Sequence, residues 1–287
     1  MTDPSISFII PAKNESATIK EVVGEIRDRH PDAEVVVVDD GSSDETASLA
    51  KNAGAKVIRH PTSLGNGAAV KAGARVAKGD IFVFLDADGQ HKAADAERLL
   101  AQLGLGYDMA VGARSSRSHA NFARLMANGL YNLVASIVTG HSIPDLTSGF
   151  RAVRARLFKK YLYLLPNGFS YPTTITMALM RAGHPVTFVD IEAGQRKGKS
   201  HINPIRDGLR FLIIIFKIAT LYAPLKIFFP TSFAFFSVGV GYYLYTFSIM
   251  GRFTNMSMLL ISASVIIFLI GLISEQITAL NYMESSD

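Results

Sequence analysis

The sequence predicts an α/β domain built on a mostly parallel sheet, then an interfacial helix, then a two-helix membrane hairpin. Three observations predict it. Over the first 115 residues, short apolar strand signals alternate with helical segments, the order of a doubly wound sheet. A strongly basic stretch follows at residues 196–226. Behind it lie two uncharged runs, 25 residues between Lys226 and Arg252 and 22 between Arg252 and Glu275. Each exceeds the roughly 20 apolar residues that cross a bilayer as a helix.

Residues 5–10 (SISFII) read as a short buried strand and 17–29 as a helix. Residues 34–38 (EVVVV) are a continuous β-branched run, which suits a parallel strand covered on both faces. Residues 46–53 are helical, with Gly54 as the stop. Lys56–Arg59 is strand-like, 68–77 helical, and 81–85 (IFVFL) another buried strand. A helix over 93–103 and a strand over 109–111 complete the alternation. Ligands of such sheets sit beyond the carboxyl ends of the strands. Both acidic clusters, Asp39-Asp40 and Asp86-Ala87-Asp88, fall at such ends.

Asn121, Arg124, Asn128 and Asn132 share one helical stripe within 121–139. Residues 145–151 (DLTSGFR) form a turn into a strand, 171–182 a helix, and Val186–Ile191 the last strand. Asn203-Pro204 supplies an N-cap and a first-turn proline for a helix to about residue 223. Its basic side and LIIIF segment suit a helix lying in the membrane interface. The uncharged runs, 228–250 and 253–274, turn at Gly251-Arg252. This divides the chain into 1–200, 201–226, 227–275 and a tail at 276–287.

Composition removes several classes. With no cysteine, the chain has neither disulfides nor thiolate zinc sites. A mean hydropathy of +0.25 excludes disorder. The first residues lack the basic and apolar regions of a signal peptide. The net charge of +5 is regional: 21 basic against 20 acidic residues up to 195, then seven against one over 196–226. A collar of that kind beside a membrane span fits the positive-inside rule and not a nucleic-acid interface. It puts the preceding domain on the cytoplasmic face of a multi-pass membrane protein.

The chemistry gathers at the strand ends. In Asp86-Ala87-Asp88-Gly89-Gln90, two carboxylates and an amide oxygen suit Mg²⁺ or Mn²⁺ shared with substrate phosphates. A carboxylate of Asp39-Asp40-Gly41-Ser42 suits the N–H of a nucleobase. Arg114, Arg124 and Arg196 with Lys197 and Lys199 are candidates for phosphate. A phosphoacceptor receiver would use the same acids but would leave 121–210 unexplained.

Seven ordered blocks now resemble a known family. PAKNES (11–16), VVVDDGSSDET (36–46), LGNGAAVKAG (64–73), FLDADGQH (84–91), GAR (112–114), DLTSGFRAV (145–153) and RKGKS (196–200) look like the inverting family 2 glycosyltransferases. More narrowly they resemble the dolichol- or polyprenyl-phosphate mannose and glucose synthases. The two-span tail resembles that of undecaprenyl-phosphate glucosyltransferases. The resemblance implies a GT-A, Rossmann-like fold with Pro11, Asn14, Glu15 and Asp39 or Asp40 around a nucleotide sugar. It places Asp86, Asp88 and Gln90 at the metal and diphosphate. Arg114 and Arg124, with Asn128, would hold the acceptor phosphate, and Arg196 and Ser200 would lie on a loop over the donor. Asp145 matches an acid proposed as a base in relatives. His201 stands where the family's loop often has lysine, and Lys13 where its first block usually has tyrosine. The implied activity moves one sugar from a nucleotide sugar to a polyprenyl phosphate. A processive polysaccharide synthase would carry a glutamine–arginine–tryptophan motif, and this chain has no tryptophan. A non-catalytic nucleotide-binding anchor and a homo-oligomer stay open.

Overall fold

The computed structural model describes residues 4–114, 129, 132–133, 135–136, 139–168, 170–191, 216, 220 and 222–283. The expectations for most of the asparagine stripe, for loop 196–200 and for most of the interfacial helix lie outside the described residues. The chain divides into two compact units, Met1–Ser136 with His141–Phe211, and Ile137–Gly140 with Leu212–Asp287.

The first unit holds a seven-stranded sheet: β1 (Ile6–Ala12), β2 (Glu34–Asp39), β3 (Lys56–Arg59), β4 (Ile81–Phe84), β5 (Met109–Arg114), β6 (Arg151–Arg154) and β7 (Val186–Ile191). Their spatial order is β3-β2-β1-β4-β6-β5-β7. All neighbours run parallel except β6, which is antiparallel to β4 and β5. Ile9 lies opposite both Val36 and Phe84, so the apolar runs of β1, β2 and β4 stack at the sheet centre. Helices α1 (Ile19–Arg29), α2 (Thr46–Asn52), α3 (Asn66–Val76) and α4 (Ala93–Gly104) fill the crossovers. On α1 the buried residues are Ile19, Val22, Val23 and Ile26, the three-and-four spacing of one core-facing stripe. Gly73 lets α3 press on β1, since a Cβ there would stand 2.5 Å from Ile9 Cγ2.

Two features depart from the sequence expectation. The 109–111 strand runs on to Arg114, and a short helix, α5 (Ala155–Lys160), follows β6 directly. The inserted β6 breaks an otherwise parallel sheet. It is the strand expected after the 145–151 turn, and despite an arginine at each end its Arg151, Ala152 and Val153 are fully buried. The last helix of this unit is α6 (Tyr171–Arg181).

The second unit is a hairpin of α7 (Leu225–Met250) and α8 (Asn255–Met283), both long and apolar enough to cross a membrane. Gly251 ends α7 in the left-handed region (φ 64°), and its N–H donates to Phe247 O at 2.9 Å. The buried residues are small and recur every seven positions: Ser232, Gly239 and Thr246 on α7, and Ser257, Ser264, Gly271 and Thr278 on α8. Ser232 donates across the contact to Ser264 O at 2.8 Å. A Cβ on Gly271 would stand 2.6 Å from Phe228 Cβ.

Candidate active site

The ends of β1 and β2 form one interlocked pair of loops. Asn14 adopts positive φ (55°); its N–H donates to Ser42 Oγ, and its Oδ1 accepts from the Ser43 N–H, each at 2.9 Å. The Glu15 N–H donates to Thr46 Oγ1 at 2.9 Å, and the Ser16 N–H to Asp44 Oδ2 at 3.1 Å. The PAKNES and DDGSSDET blocks therefore hold each other in shape. Pro11 lies half-buried at the end of β1.

The two adjacent acids have different tasks. Asp40 accepts from the Leu64 N–H (2.8 Å), the Gly65 N–H (2.9 Å) and Ser63 Oγ (2.7 Å), and its carboxylate meets His60 Nδ1 at 2.8 Å. Burial alone would raise its pKa, but these partners hold it down at about 2. Asp40 is thus committed to anchoring the 60–65 loop, which crosses Gly41. A Cβ on Gly41 would lie 2.8 Å from Ser63 N, and its φ is +70°. Asp39 is fully buried, and among the described residues its carboxylate accepts only from the Ser42 N–H, at 2.9 Å through Oδ1, while its carbonyl accepts from the His60 N–H. Its Oδ2 lies 3.2 Å from Arg59 Nε, yet no hydrogen bond reaches it among the described residues.

At the end of β4, the Asp86–Gln90 loop is fixed from both sides. Thr18 Oγ1, from the start of α1, donates to Ala87 O at 2.7 Å, and the Gln90 N–H to Asp88 Oδ1 at 3.1 Å. Gly149 lies directly under Asp86: a Cβ there would come within 2.8 Å of Oδ2. His91 is buried and stacks on Phe150, ring centroids 5.0 Å apart, with Nε2 4.0 Å from Asp86 Oδ2. Burial pushes its pKa down to about 4, so it is neutral at pH 7. The DLTSGF turn is thereby the wall against which the acidic loop rests.

Arg114, at the end of β5, grips Asp145 with two hydrogen bonds, Nε to Oδ2 at 2.7 Å and Nη2 to Oδ1 at 3.1 Å. Its Nη2 also donates to Thr147 Oγ1 at 2.8 Å. The Thr147 N–H and Oγ1 each donate to Asp145 Oδ1 at 3.0 Å. Burial would raise the Asp145 pKa, but Arg114 overcomes that and holds it below the usual carboxylate range. Both Asp145 oxygens are filled, while Arg114 Nη1 makes no hydrogen bond among the described residues. Behind this wall, buried Arg151 donates to Pro172 O (2.8 Å), Thr176 Oγ1 (3.1 Å) and Ser148 O, tying the turn to α6.

The glycine-rich LGNGAAVKAG block is a packing device here. The Gly67 and Ala68 N–H groups, at the start of α3, donate to Gly168 O and Asn167 O at 3.3 and 2.9 Å. Lys71 donates to Leu165 O at 3.0 Å. That helix start is capped by protein and offers no cradle for phosphate.

The structure thus brings Asp86, Asp88, Gln90, Arg114 and Asp145 into one region, with Pro11, Asn14, Glu15 and Asp39 at the neighbouring strand ends. Arg124, Asn128, Arg196 and Ser200 lie outside the described residues. The sequence reading assigned no site role to Arg59, His91, Thr147, Gly149 or Phe150. Four of the five, all but Arg59, sit inside motif blocks, so their signal was proximity to the acids.

A mostly parallel sheet with carboxylates at the ends of β2 and β4, followed by a hairpin of two helices long and apolar enough to cross a membrane, is an α/β fold of the GT-A type. The chain belongs to glycosyl transferase family 2, which matches residues 7–162, and residues 223–280 match the GtrB C-terminal hairpin. It is 31% identical over 250 residues to glycosyltransferase AglJ of Haloferax volcanii, across 85% of this chain and 82% of that protein. It is 31% identical over 226 residues to undecaprenyl-phosphate mannosyltransferase of Micrococcus luteus, across 70% and 93%. The fold is shared with glucosyl-3-phosphoglycerate synthase from Mycobacterium tuberculosis, solved with Mn²⁺, UDP and phosphoglyceric acid. There the TM-score is 0.62 at 22% identity, over 76% of this chain and 78% of that one.

Proposed function

We propose that this enzyme transfers one sugar from a nucleoside diphosphate sugar to a polyprenyl phosphate, with inversion, at the cytoplasmic face of a membrane. The observation that carries this reading is the Arg114–Asp145 pair. A hydroxyl acceptor needs a positioned base of suitable pKa. Asp145 is a poor one, because both oxygens are filled and its pKa is held low. A phosphate monoester needs no base, since its second pKa is roughly 6. Arg114 would direct Nη1 at that phosphate, and Asp145 would keep the guanidinium aimed. Arg124 and Asn128 are assigned to the same phosphate, and Arg196 and Ser200 to the donor's diphosphate.

Asp86, Asp88 and Gln90 would hold a Mg²⁺ or Mn²⁺. Among the described residues no three His, Cys, Asp or Glu side chains form a complete metal cage. Two carboxylates and an amide fit an ion that takes its remaining ligands from water and substrate phosphates. Bound there, such an ion supplies positive charge to the departing nucleoside diphosphate. Pro11, Asn14, Glu15 and Asp39 would line the nucleoside. The hairpin favours a lipid acceptor, which stays in the bilayer, and the basic residues 196–226 favour the cytoplasmic side.

The test incubates membranes holding the full chain with labelled nucleotide sugars and either polyprenyl phosphate or the matching polyprenol. Labelled lipid should form with the phosphate and not with the alcohol. Comparable rates with both would overturn the assignment.

A further inference from the structure

We propose that Arg151 is the built-in counter-charge of Asp86, and that it weakens the acidic loop's hold on a bare divalent ion. This rests on the metal reading above and adds a residue that tunes that site from behind. Arg151 is fully buried. Its hydrogen bonds go to neutral oxygens, Pro172 O, Thr176 Oγ1 and Ser148 O, and its Nε has no partner among the described residues. The Tyr171 ring centroid lies 5.7 Å from its Cζ. A cation shut away from water is strongly destabilising unless an opposite charge answers it. None of its hydrogen-bonded partners carries one.

The acids that answer it belong to the site. Burial disfavours the Arg151 charge, and Tyr171, Asp145 and Asp86 are the groups whose fields favour it. The contacts run in a chain. Arg151 holds Ser148 O, the Tyr171 hydroxyl donates to Gly149 O at 3.3 Å, and a Cβ on Gly149 would stand 2.8 Å from Asp86 Oδ2. One turn of backbone thus separates the guanidinium from the Asp86 carboxylate. Asp145 is already closed in its two hydrogen bonds with Arg114, so Asp86 is the acid that balances Arg151. A divalent ion at Asp86 and Asp88 therefore meets two negative charges with a positive one behind them. Even at about 10 Å and an effective dielectric constant of about 20, a unit charge facing a divalent ion changes its affinity by more than about tenfold. A nucleoside diphosphate supplies the negative charge that the bare site lacks, so the ion is held firmly only together with the donor.

The experiment titrates the full chain in detergent with Mn²⁺ alone and reads the free ion by electron paramagnetic resonance. Arg151→Gln, which keeps a donor and loses the charge, should bind Mn²⁺ about tenfold more tightly than the wild type. Loss of a merely structural tie would loosen the acidic loop and weaken the ion instead. Tyr171→Phe removes the Gly149 contact at constant charge and should not tighten Mn²⁺. Unchanged or weaker binding by a folded Arg151→Gln would overturn the counter-charge and leave the metal reading standing. Mn²⁺ held as tightly by Asp88→Asn as by the wild type would strike the metal reading itself. Should Arg151→Gln unfold, stability without metal decides. Asp86→Asn strands the buried cation and should lower the denaturant midpoint in EDTA, where Asp88→Asn leaves it unchanged. Equal midpoints for those two variants would overturn the proposal.

Discussion

In the α/β unit the largest side chains lie inside: Phe8, Phe82, Phe84, Phe150 and Phe158 are fully buried. In the hairpin the order is reversed. Its contact is made by Ser232, Gly239, Thr246, Ser257, Ser264, Gly271 and Thr278, while Phe233, Leu244, Ile249, Leu259 and Ile273 point outward, each more than half exposed. The difference reports the solvent each unit is built for. Water expels large apolar surfaces, so a core gains by enclosing them. Lipid does not, so helices associate where small residues let backbones approach. The seven-residue repeat keeps those positions on one seam along both helices.

Chemistry separates the units most sharply. Asp88→Asn removes a proposed metal ligand at a half-buried strand end and should lower turnover a hundredfold or more, about 2.7 kcal/mol of barrier. Denaturant midpoints should stay at the wild-type value. A variant that keeps more than about a tenth of the rate would show that Asp88 does not hold the ion. Next comes the core. Phe84 packs 4.5 Å from the Phe158 ring centroid and 6.2 Å from those of Phe82 and Tyr171. Phe84→Ala should cost roughly 3–5 kcal/mol in chemical denaturation. Phe233→Ala, on the outer face of α7, should stay within about 0.5 kcal/mol. Similar costs at the two positions would erase the contrast.

How much of this was legible follows the same division. Strands β1, β2 and β4 and the acids at their ends were readable because buried parallel strands are uninterrupted apolar runs. The strand after the 145–151 turn was legible as well, but the antiparallel direction and full burial of β6 were not, since a four-residue strand with arginine at each end carries no sign of either. Arg151 is buried only because Pro172, Thr176 and Ser148, distant or in a turn, supply its acceptors. In the hairpin, the uncharged lengths were plain in the sequence, but the packing seam was hidden. A search for hydrophobic periodicity looks for large residues inside, and here the inside residues are serine, glycine and threonine. Nor could the sequence distinguish Asp39 from Asp40. That choice depends on a loop twenty residues further on, which fills one carboxylate and leaves the other with an open oxygen.

The hairpin seam can be broken directly. Gly271→Leu would drive a side chain into Phe228, where even a Cβ lies 2.6 Å from its neighbour. Overpacking of this kind costs about 3 kcal/mol or less. Because the chain has no cysteine, a Ser232→Cys, Ser264→Cys pair offers a clean reporter. Oxidative cross-linking of that pair should be efficient in the otherwise natural chain and fall when Gly271→Leu is added, with the α/β unit's denaturation unchanged. An undiminished cross-link would show that the seam is not what holds α7 to α8.

Acid should separate the two units by a smaller amount. The seven-residue seam of the hairpin is made by hydroxyls and glycines, which do not titrate between pH 2 and 7, and the Glu275 carboxylate joins the contact only at one end, where it accepts from the Leu225 N–H at 3.3 Å. The α/β unit instead holds Asp40, whose pKa is brought down to about 2 by His60, the Leu64 and Gly65 N–H groups and Ser63, against the opposing effect of burial. An unfolded aspartate has a pKa of about 3.9. The folded value is the lower one, so the contribution is fully present well above pH 4. It is lost as pH falls from about 4 through 2, when the unfolded chain takes up the proton first. A shift of that size is worth about 2 kcal/mol at neutral pH. Asp40→Asn should therefore lower the stability of the α/β unit by about that amount at pH 7 and by much less at pH 2.5, in denaturant titrations at both values. The cysteine cross-link in the hairpin, formed at pH 7 after a hold at pH 2.5, should be the same in both proteins. If Asp40→Asn cost as much in acid as at neutrality, the carboxylate's charge would not be what anchors the 60–65 loop beside the base site.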